Sequence, residues 1–357
     1  MDLESLRNKI DTIDTKIVDL LNQRARVAAD IGNLKKDKGT EYFDPSRQKK
    51  VIQKVLNLNI SQGGLFPNKG LEAVYREIMS ACLNLEEGIK IAYLGPPSTY
   101  THIAALKEFG NSVVYIPYET ISDIFLAVEK KWVTYGIVPI ENSTEGIISY
   151  TLDMFMDSDL KICSEIMLDI HHCLLSNCKT IPEIKKIFSG RQPFAQCKVF
   201  IKENLPNAEL IEVAATTKGV ELALNTKDSA AIASELAAET YNIEILVKDI
   251  EDIKDNRTRF LVISEKYSPK SGKDKTSLMF SIKDEPGSLY KMLHPFAQAS
   301  INLTKIESRP TRRKAWEYIF FVDMEGHIED KNIKSAIQSL ERKCIFLKHL
   351  GSYPSSN

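Results

Sequence analysis

The chain is defined first by what it lacks. Its 357 residues carry no excess of either charge: 47 Lys and Arg stand against 48 Asp and Glu, a formal net charge of -1. The basic surplus expected of a nucleic-acid-binding protein is therefore missing. Long apolar runs are missing as well. No stretch reaches the ~20 residues of a membrane-spanning helix, and the charged opening MDLESLRNKID predicts no signal peptide. The six cysteines, Cys82, Cys163, Cys173, Cys178, Cys197 and Cys344, include no CxxC pair. They predict reduced thiols in a cytoplasmic protein. His171-His172-Cys173 with Cys178 has no usual zinc-ligand spacing and reads as a strand flanked by His and Cys, so neither metal nor cofactor is expected. A GxGxxG string is absent too, which removes a nucleotide-dependent dehydrogenase from consideration. With 43% hydrophobic and 27% charged residues, the composition is that of an ordinary globular protein. Its length exceeds one hydrophobic core and predicts two or three domains.

The first segment has helical periodicity. Leu3, Leu6, Ile10, Ile13, Ile17, Leu20, Arg24, Val27, Ile31 and Leu34 alternate spacings of three and four, the pattern of a coiled-coil seam. Gly39 ends it, Asp44-Pro45 opens a second helix, and a third runs from about Lys69 to Glu87. Such a seam needs a partner chain. From Ile89 onward the pattern changes to short apolar strands (IKIAYL, VVYIP, YGIVPI, KICSEI, KIFS, AAIAS and RFLVIS) alternating with helices such as 120–131 and 216–225, which predicts an α/β fold. A polar linker, YSPKSGKDKT at 266–275, precedes a β-α-β-β-α-β run of ferredoxin-like order.

Within the seam, Arg24 holds a place the heptad reserves for an apolar residue, so an anionic partner is expected there. Lys35 lies about three turns on, on nearly the same face. Arg7 is roughly 25 Å away along the axis, so only an antiparallel partner helix brings another Arg7 to this Arg24. Residues 3–88 resemble the all-helical chorismate mutases through LR at 6–7, LLNQR at 20–24, IGNLKK at 31–36 and D-x-x-R at 44–47. By that resemblance Arg24, Arg47 and the Arg7 of a partner subunit hold the two carboxylates of chorismate, Lys35 faces the ether oxygen and Asp44 the ring hydroxyl. Gln48 stands where a Glu is often found, and Glu86 where a Gln can donate to the ether oxygen. Only a protonated Glu86 donates. Mutase activity is therefore expected to decline toward alkaline pH, and Glu86→Gln to flatten that profile.

Residues 89–265 resemble the prephenate dehydratases through AYLGPPSTYTHIAA at 92–105, VPIENSTEG at 138–146, SGRQPFAQC at 189–197 and DNRTRFLVIS at 255–264, in that order. The resemblance implies a periplasmic-binding-protein-like pair of α/β lobes, near 89–167 plus 251–265 and 168–250, with a cleft between them. It assigns catalysis to Thr258 and Arg259, and the polar walls to Asn142, Ser143, Ser189 and Gln196. Loss of CO2 and a hydroxyl from prephenate needs a cation for the side-chain carboxylate, a donor for the departing hydroxyl and shelter from water. In the first loop, Gly95-Pro96-Pro97-Ser98-Thr99-Tyr100, the family usually has an acidic residue and Gly before the Thr. The substitution removes freedom for positive φ.

Residues 276–357 resemble the small regulatory module known as the ACT domain. Pro286, Gly287, Ser288 and Leu289 open its first helix, and Glu307, Ser308, Arg309 and Pro310 follow its second strand. In phenylalanine-regulated dehydratases these two motifs border the effector site, and a Gly-containing helix start offers free amides to an amino acid. The combined expectation is a multidomain, cofactor-free, phenylalanine-inhibited enzyme of at least two subunits. It would carry chorismate through prephenate to phenylpyruvate. Two alternatives stand beside it: a dehydratase whose helical arm only dimerises, and a non-catalytic amino-acid sensor.

Overall fold

The computed structural model describes residues 2–38, 43–283, 285–310 and 318–356. Helix α1 (Leu3–Lys38) runs 36 residues. Asp44 caps α2 (Pro45–Ser61) by accepting a 2.9 Å bond from the Arg47 N–H, and Gly88, in the left-handed region, ends α3 (Asn68–Glu87). At 100° per residue Arg24 lies about 40° round the helix from Leu20, toward Ala28. Unlike the exposed apolar residues of the seam it reaches α3: its Nη1 donates to the Ile78 carbonyl at 3.4 Å and to Cys82 Sγ at 2.6 Å. The α3-facing stripe of α1 is thus Arg24, Ala28, Gly32 and Lys35. A Cβ on Gly32 would stand 2.9 Å from the Glu86 α-carbon, so glycine sets how closely the helices cross. The apolar seam points outward, with Leu3, Leu6, Ile10, Ile13, Ile17, Leu20, Val27, Ile31 and Leu34 each at least 43% exposed.

The first α/β lobe contains β1 (Lys90–Leu94), α4 (Tyr100–Phe109), β2 (Val114–Tyr118), α5 (Ile121–Glu129), β3 (Tyr135–Asn142), β4 (Gly146–Ile147), α6 (Ser149–Asp157) and β5 (Lys161–Asp169). The second holds β6 (Cys173–Ser176), β7 (Lys186–Ser189), α7 (Arg191–Gln196), α8 (Lys198–Asn204), β8 (Glu209–Glu212), α9 (Thr216–Asn225), β9 (Ser229–Ala233), α10 (Glu235–Tyr241) and β10 (Ile245–Val247). Strand β11 (Arg257–Ser264) then returns to the first lobe. Its sheet has the order β2-β1-β3-β11-β5, with β4 on β3, and the second sheet the order β10-β6-β9-β7-β8. The two crossing segments bond each other, Ile170 N–H to Asn256 O at 2.8 Å and Ile250 N–H to His172 O at 2.9 Å. The helical domain is anchored by Phe43, whose ring sits 4.4 Å from Phe109 and 5.6 Å from Tyr135.

The last domain comprises β12 (Asp274–Ser281), α11 (Ser288–Gln298), β13 (Leu303–Pro310), β14 (Tyr318–Glu325), α12 (Lys331–Glu341) and β15 (Phe346–Pro354), as the ferredoxin-like order predicts. Its antiparallel sheet runs β13-β14-β12-β15. Strand alternation gives it two apolar faces. Leu278, Phe280, Val322 and Met324 pack under the two helices, while Met279, Ile319, Phe321, Leu350 and Tyr353 join the core of the first lobe. The sheet is therefore sandwiched between its own helices and the middle domain. The expected linker lies against both domains, with Tyr267 stacked on His349 at 4.9 Å.

Candidate active sites

The helical domain borders a cavity of about 1010 Å³ that brings together Arg24, Lys35, Asp44, Arg47, Gln48 and Glu86. Lys35 and Glu86 form a 2.9 Å ion pair across it. In this arrangement Glu86 accepts rather than donates. Gln48 reaches the Glu108 carbonyl of the middle domain at 3.3 Å. Arg24 and Arg47 offer guanidinium donors that suit carboxylates, and Asp44 beside them favours a hydroxyl donor, although Glu86, Glu265 and Glu329 balance the cations of the lining. Arg7 is exposed on its own helix and is not among the residues lining this cavity. Cys82, Phe109, Glu265–Pro269 and Glu329 also border it, and the sequence reading did not single them out. The last seven come from the middle domain, the linker and the C-terminal domain, so no local pattern in the helical segment announces them.

The second site lies where the lobes meet. Asn142, at the end of β3, donates from Nδ2 to Thr258 Oγ1 at 2.8 Å and to Asn256 Oδ1 at 2.9 Å. Its Oδ1 accepts from the Thr144 N–H and hydroxyl and from the Glu145 N–H, folding the turn after β3. Asn256 is buried, and its Nδ2 has no partner although it adjoins Thr258. A buried amide donor without a partner is costly, and a polar ligand group answers it. Glu145 reaches across to the other lobe, accepting from Gln196 Nε2 at 2.9 Å and also from Gln192. The opposite Gln196 amide oxygen is 2.7 Å from His172 Nε2, and His172 Nδ1 is 2.9 Å from Tyr100 Oη. Burial lowers the His172 pKa below its ordinary value, so the ring is neutral near pH 7. Burial likewise pushes the Tyr100 phenol well up, with Cys173, Cys197 and Glu251 adding to it.

Ser98 completes the closure. It adopts φ +66°, unusual for a residue with a Cβ, and donates to Thr240 Oγ1 of the second lobe at 2.8 Å. Its carbonyl accepts from Ser234 Oγ at 3.1 Å. The loop thus keeps the left-handed turn without the glycine that the family pattern has there.

Three of the expected middle-domain residues are engaged in bonds of the fold itself. Ser189 is fully buried, its hydroxyl bonded to the Ile232 carbonyl at 2.7 Å, tying β7 to β9. Ser143 fastens β3 to β11, accepting from the Arg257 N–H at 2.9 Å. Arg259 follows Thr258 on β11 and so projects from the opposite face. Its guanidinium donates to Glu165 at 2.8 Å, Asp323 at 2.6 Å and Tyr353 at 2.9 Å. Burial lowers the Arg259 pKa, but Tyr353, Asp323 and Glu165 outweigh it and hold the cation firmly charged. Burial raises Asp323, and Arg259 and Ser277 more than reverse that. Arg259 therefore joins two domains where substrate contact was expected. The His171-His172-Cys173 string also separates: His171 pairs with Glu251 at 3.0 Å, His172 faces the cleft and Cys173 is buried in β6.

In the last domain Gly287 caps α11 at φ +79°, a value that suits glycine, and among the described residues no side chain caps that helix. Pro286 and Leu289 are exposed and Ser288 is buried. Glu307, Ser308, Arg309 and Pro310 end the edge strand β13. Arg309 bonds Asp153 on α6 at 2.9 and 3.1 Å, again toward the middle domain.

Comparison with known proteins agrees with this layout. Residues 6–87 match the family described as chorismate mutase type II, 91–268 match prephenate dehydratase, and 276–342 match the ACT domain. The chain is 49% identical over 356 residues to the bifunctional chorismate mutase/prephenate dehydratase of Aquifex aeolicus, covering 99% of this chain and 98% of that one. A protein of the same description from Pseudomonas aeruginosa is 39% identical over 360 residues, covering 99% and 98%. Among solved structures, a prephenate dehydratase from Arthrobacter aurescens in complex with L-Phe superposes with a TM-score of 0.70 at 31% identity, covering 75% of this chain and 90% of that one.

Proposed function

The chain belongs to the family of bifunctional chorismate mutase/prephenate dehydratases, and on that premise we propose that it converts chorismate to prephenate in the helical cavity and prephenate to phenylpyruvate in the interlobe cleft. The rearrangement is unimolecular and needs no nucleophile. The cavity must hold a compact conformer and stabilise negative charge growing on the ether oxygen. Arg24, Arg47 and the Arg7 of a partner subunit hold the carboxylates, and Lys35 serves the ether oxygen. Asp44 meets the hydroxyl, Gln48 completes the wall, and a protonated Glu86 released from Lys35 adds a second donor.

In the cleft, the ring carboxylate of prephenate departs as CO2. Its bonding pair enters the ring, and the C–OH bond breaks with the hydroxyl leaving as water after gaining a proton. Thr258, oriented by Asn142, and the unpaired Asn256 amide face the departing hydroxyl, while Gln196 and the Asn142–Glu145 turn close the cleft. Ser143 fastens that turn to β11, and Ser189 and Arg259 support the site from behind. The observation that carries the reading is the Asn142–Thr258 bond beside the buried, unanswered Asn256 amide.

The outward apolar seam supports a homodimer built on α1, and the Pro286–Leu289 and Glu307–Pro310 motifs support phenylalanine as the inhibitor. The place of work is the cytoplasm. The deciding experiment supplies chorismate, then prephenate, with and without phenylalanine and without metal or nicotinamide. Phenylpyruvate from both substrates, suppressed by phenylalanine, is the expected result. Product from prephenate alone would reduce the helical domain to a dimerisation arm, and no product from either would leave only a sensor.

A further inference from the structure

Strands β3 and β11 are antiparallel, with Asn142 opposite Thr258 and Glu141 opposite Arg259. Alternation sends one pair into the cleft and the next to the far side. On that far side Glu141, Arg259 and Glu165 are held by the C-terminal sheet or by a group bonded to it, while Arg257 pairs with Asp169 inside the first lobe. Glu141 accepts from Lys305 of β13 at 2.8 Å. Arg259 donates to Asp323 and Tyr353, and also to Glu165, whose two oxygens receive Lys275 Nζ at 2.9 and 2.8 Å. Two buried cations and two buried anions thus close a neutral cluster with Ser277 and Tyr353. The ladder shifts register between Arg259 and Phe260, so the end of the strand pair is set off from the regular sheet.

Strand β13 holds a second point. Lys305 grips the residue before the Asn142–Glu145 turn, and Arg309 grips Asp153 on the helix just after it. Both ends of the segment whose Glu145 bonds the second lobe are therefore fastened to the strand that carries Glu307–Pro310. We propose that Glu141 and Arg259 are positioning residues, through which the β13 strand and its sheet set the Asn142–Thr258 pair and the Glu145 contact. The C-terminal domain so controls dehydration without touching prephenate. The inference rests on the functional reading above. It adds the route by which an effector bound at the C-terminal domain alters the cleft: movement of β13 must displace the turn or break a charge pair, and either shifts the closed state.

The test uses the full-length chain with Lys305→Met, which keeps the stem and removes the charge, and Lys305→Arg, which restores it. Each is assayed for prephenate kcat and KM, for phenylalanine inhibition, and for phenylalanine binding by calorimetry in the same preparation. Lys305→Met should bind phenylalanine within about twofold of the parent while inhibition weakens by at least about fivefold, the lower end of ordinary coupling. Its kcat should fall more than its KM changes, and Lys305→Arg should recover both. Asp323→Asn, on the other arm, should weaken inhibition in the same sense. Unchanged inhibition and kcat in Lys305→Met would overturn the inference, as would lost phenylalanine binding or failure of arginine to restore coupling. A parent chain inert toward prephenate overturns the functional reading itself, a distinct result.

Discussion

A side chain on Gly351 would place its Cβ 2.2 Å from the Ile162 carbonyl oxygen and 2.9 Å from the Ile162 nitrogen. Strand β15 therefore lies directly on the backbone of β5, and the two domains share a core where other folds would have a hinge. Tyr353 and Leu350 from one side meet Ile162 and Leu261 from the other in one apolar cluster. Signals between the domains need no flexible linker under these conditions, since a shift in one sheet is a shift in the other.

Gly351→Ala should separate these strands, because the obstructing atoms are backbone and cannot rotate away. Overpacking of this kind costs about 1–3 kcal/mol. Calorimetry should show a lower unfolding midpoint, by about 2–4 °C per kcal/mol for a domain of this size. Phenylalanine inhibition should weaken alongside it. A midpoint and inhibition curve equal to those of the parent would contradict so close an approach.

Thr258→Val keeps the shape of the side chain and removes the hydroxyl that Asn142 orients. Dehydratase kcat should drop about 10²–10³-fold, the usual loss for one placed polar group. Thr258→Ser should retain most of the rate, and mutase activity in both variants should match the parent. A valine variant with full dehydratase activity would remove Thr258 from the chemistry.

Lys35→Met leaves Glu86 without its 2.9 Å partner and the cavity without its central cation. Chorismate turnover should fall by about 10²-fold or more while prephenate turnover is unchanged. The role of Glu86 is read from the pH profile. If its proton is needed, the parent loses mutase activity as pH rises and Glu86→Gln does not. Parallel profiles would confine Glu86 to holding Lys35.

The fold was largely legible because its signals are local. The cap at Asp44-Pro45, the apolar strands and the β-α-β-β-α-β order each depend on neighbouring residues. Strand β8, half polar in ELIE, and the two-residue β4 escaped because they lack an apolar run. The sites were legible only in part. Arg24, Lys35, Asp44, Arg47, Gln48 and Glu86 do converge on one cavity, as do Asn142 and Thr258 at the cleft. The surroundings of Arg259 were not legible, because its partners Glu165, Asp323 and Tyr353 are 64 or more positions away in the chain. Ser98 shows the opposite case. The lost glycine pointed to an altered loop, yet bonds from Ser98 to Thr240 and His102 and from Ser234 to its carbonyl keep the left-handed turn.

His349 gives the domain junction a pH dependence. It stacks on Tyr267, its Nε2 lies 3.1 Å from Ser352 Oγ, and Lys161 donates to its carbonyl. Burial lowers its pKa from 6.5 to about 4, with the Lys161 and His327 charges acting in the same direction. The folded state therefore resists protonation that the unfolded chain accepts. The stability that the neutral ring contributes is fully present above the unfolded value of 6.5, and it is lost progressively as pH falls toward 4. Below that, both states are protonated and this group adds no further slope. The Asp323 and Glu251 carboxyls, both lowered overall, act in a more acidic window beneath their ordinary values of 3.8 and 4.5. Thermal midpoints measured between pH 7.5 and 4 should thus fall less steeply for His349→Gln than for the parent. Phenylalanine inhibition should weaken over the same interval if the junction loosens first. Equal slopes for the two proteins would mean that the ring titrates freely and that the junction is indifferent to its charge.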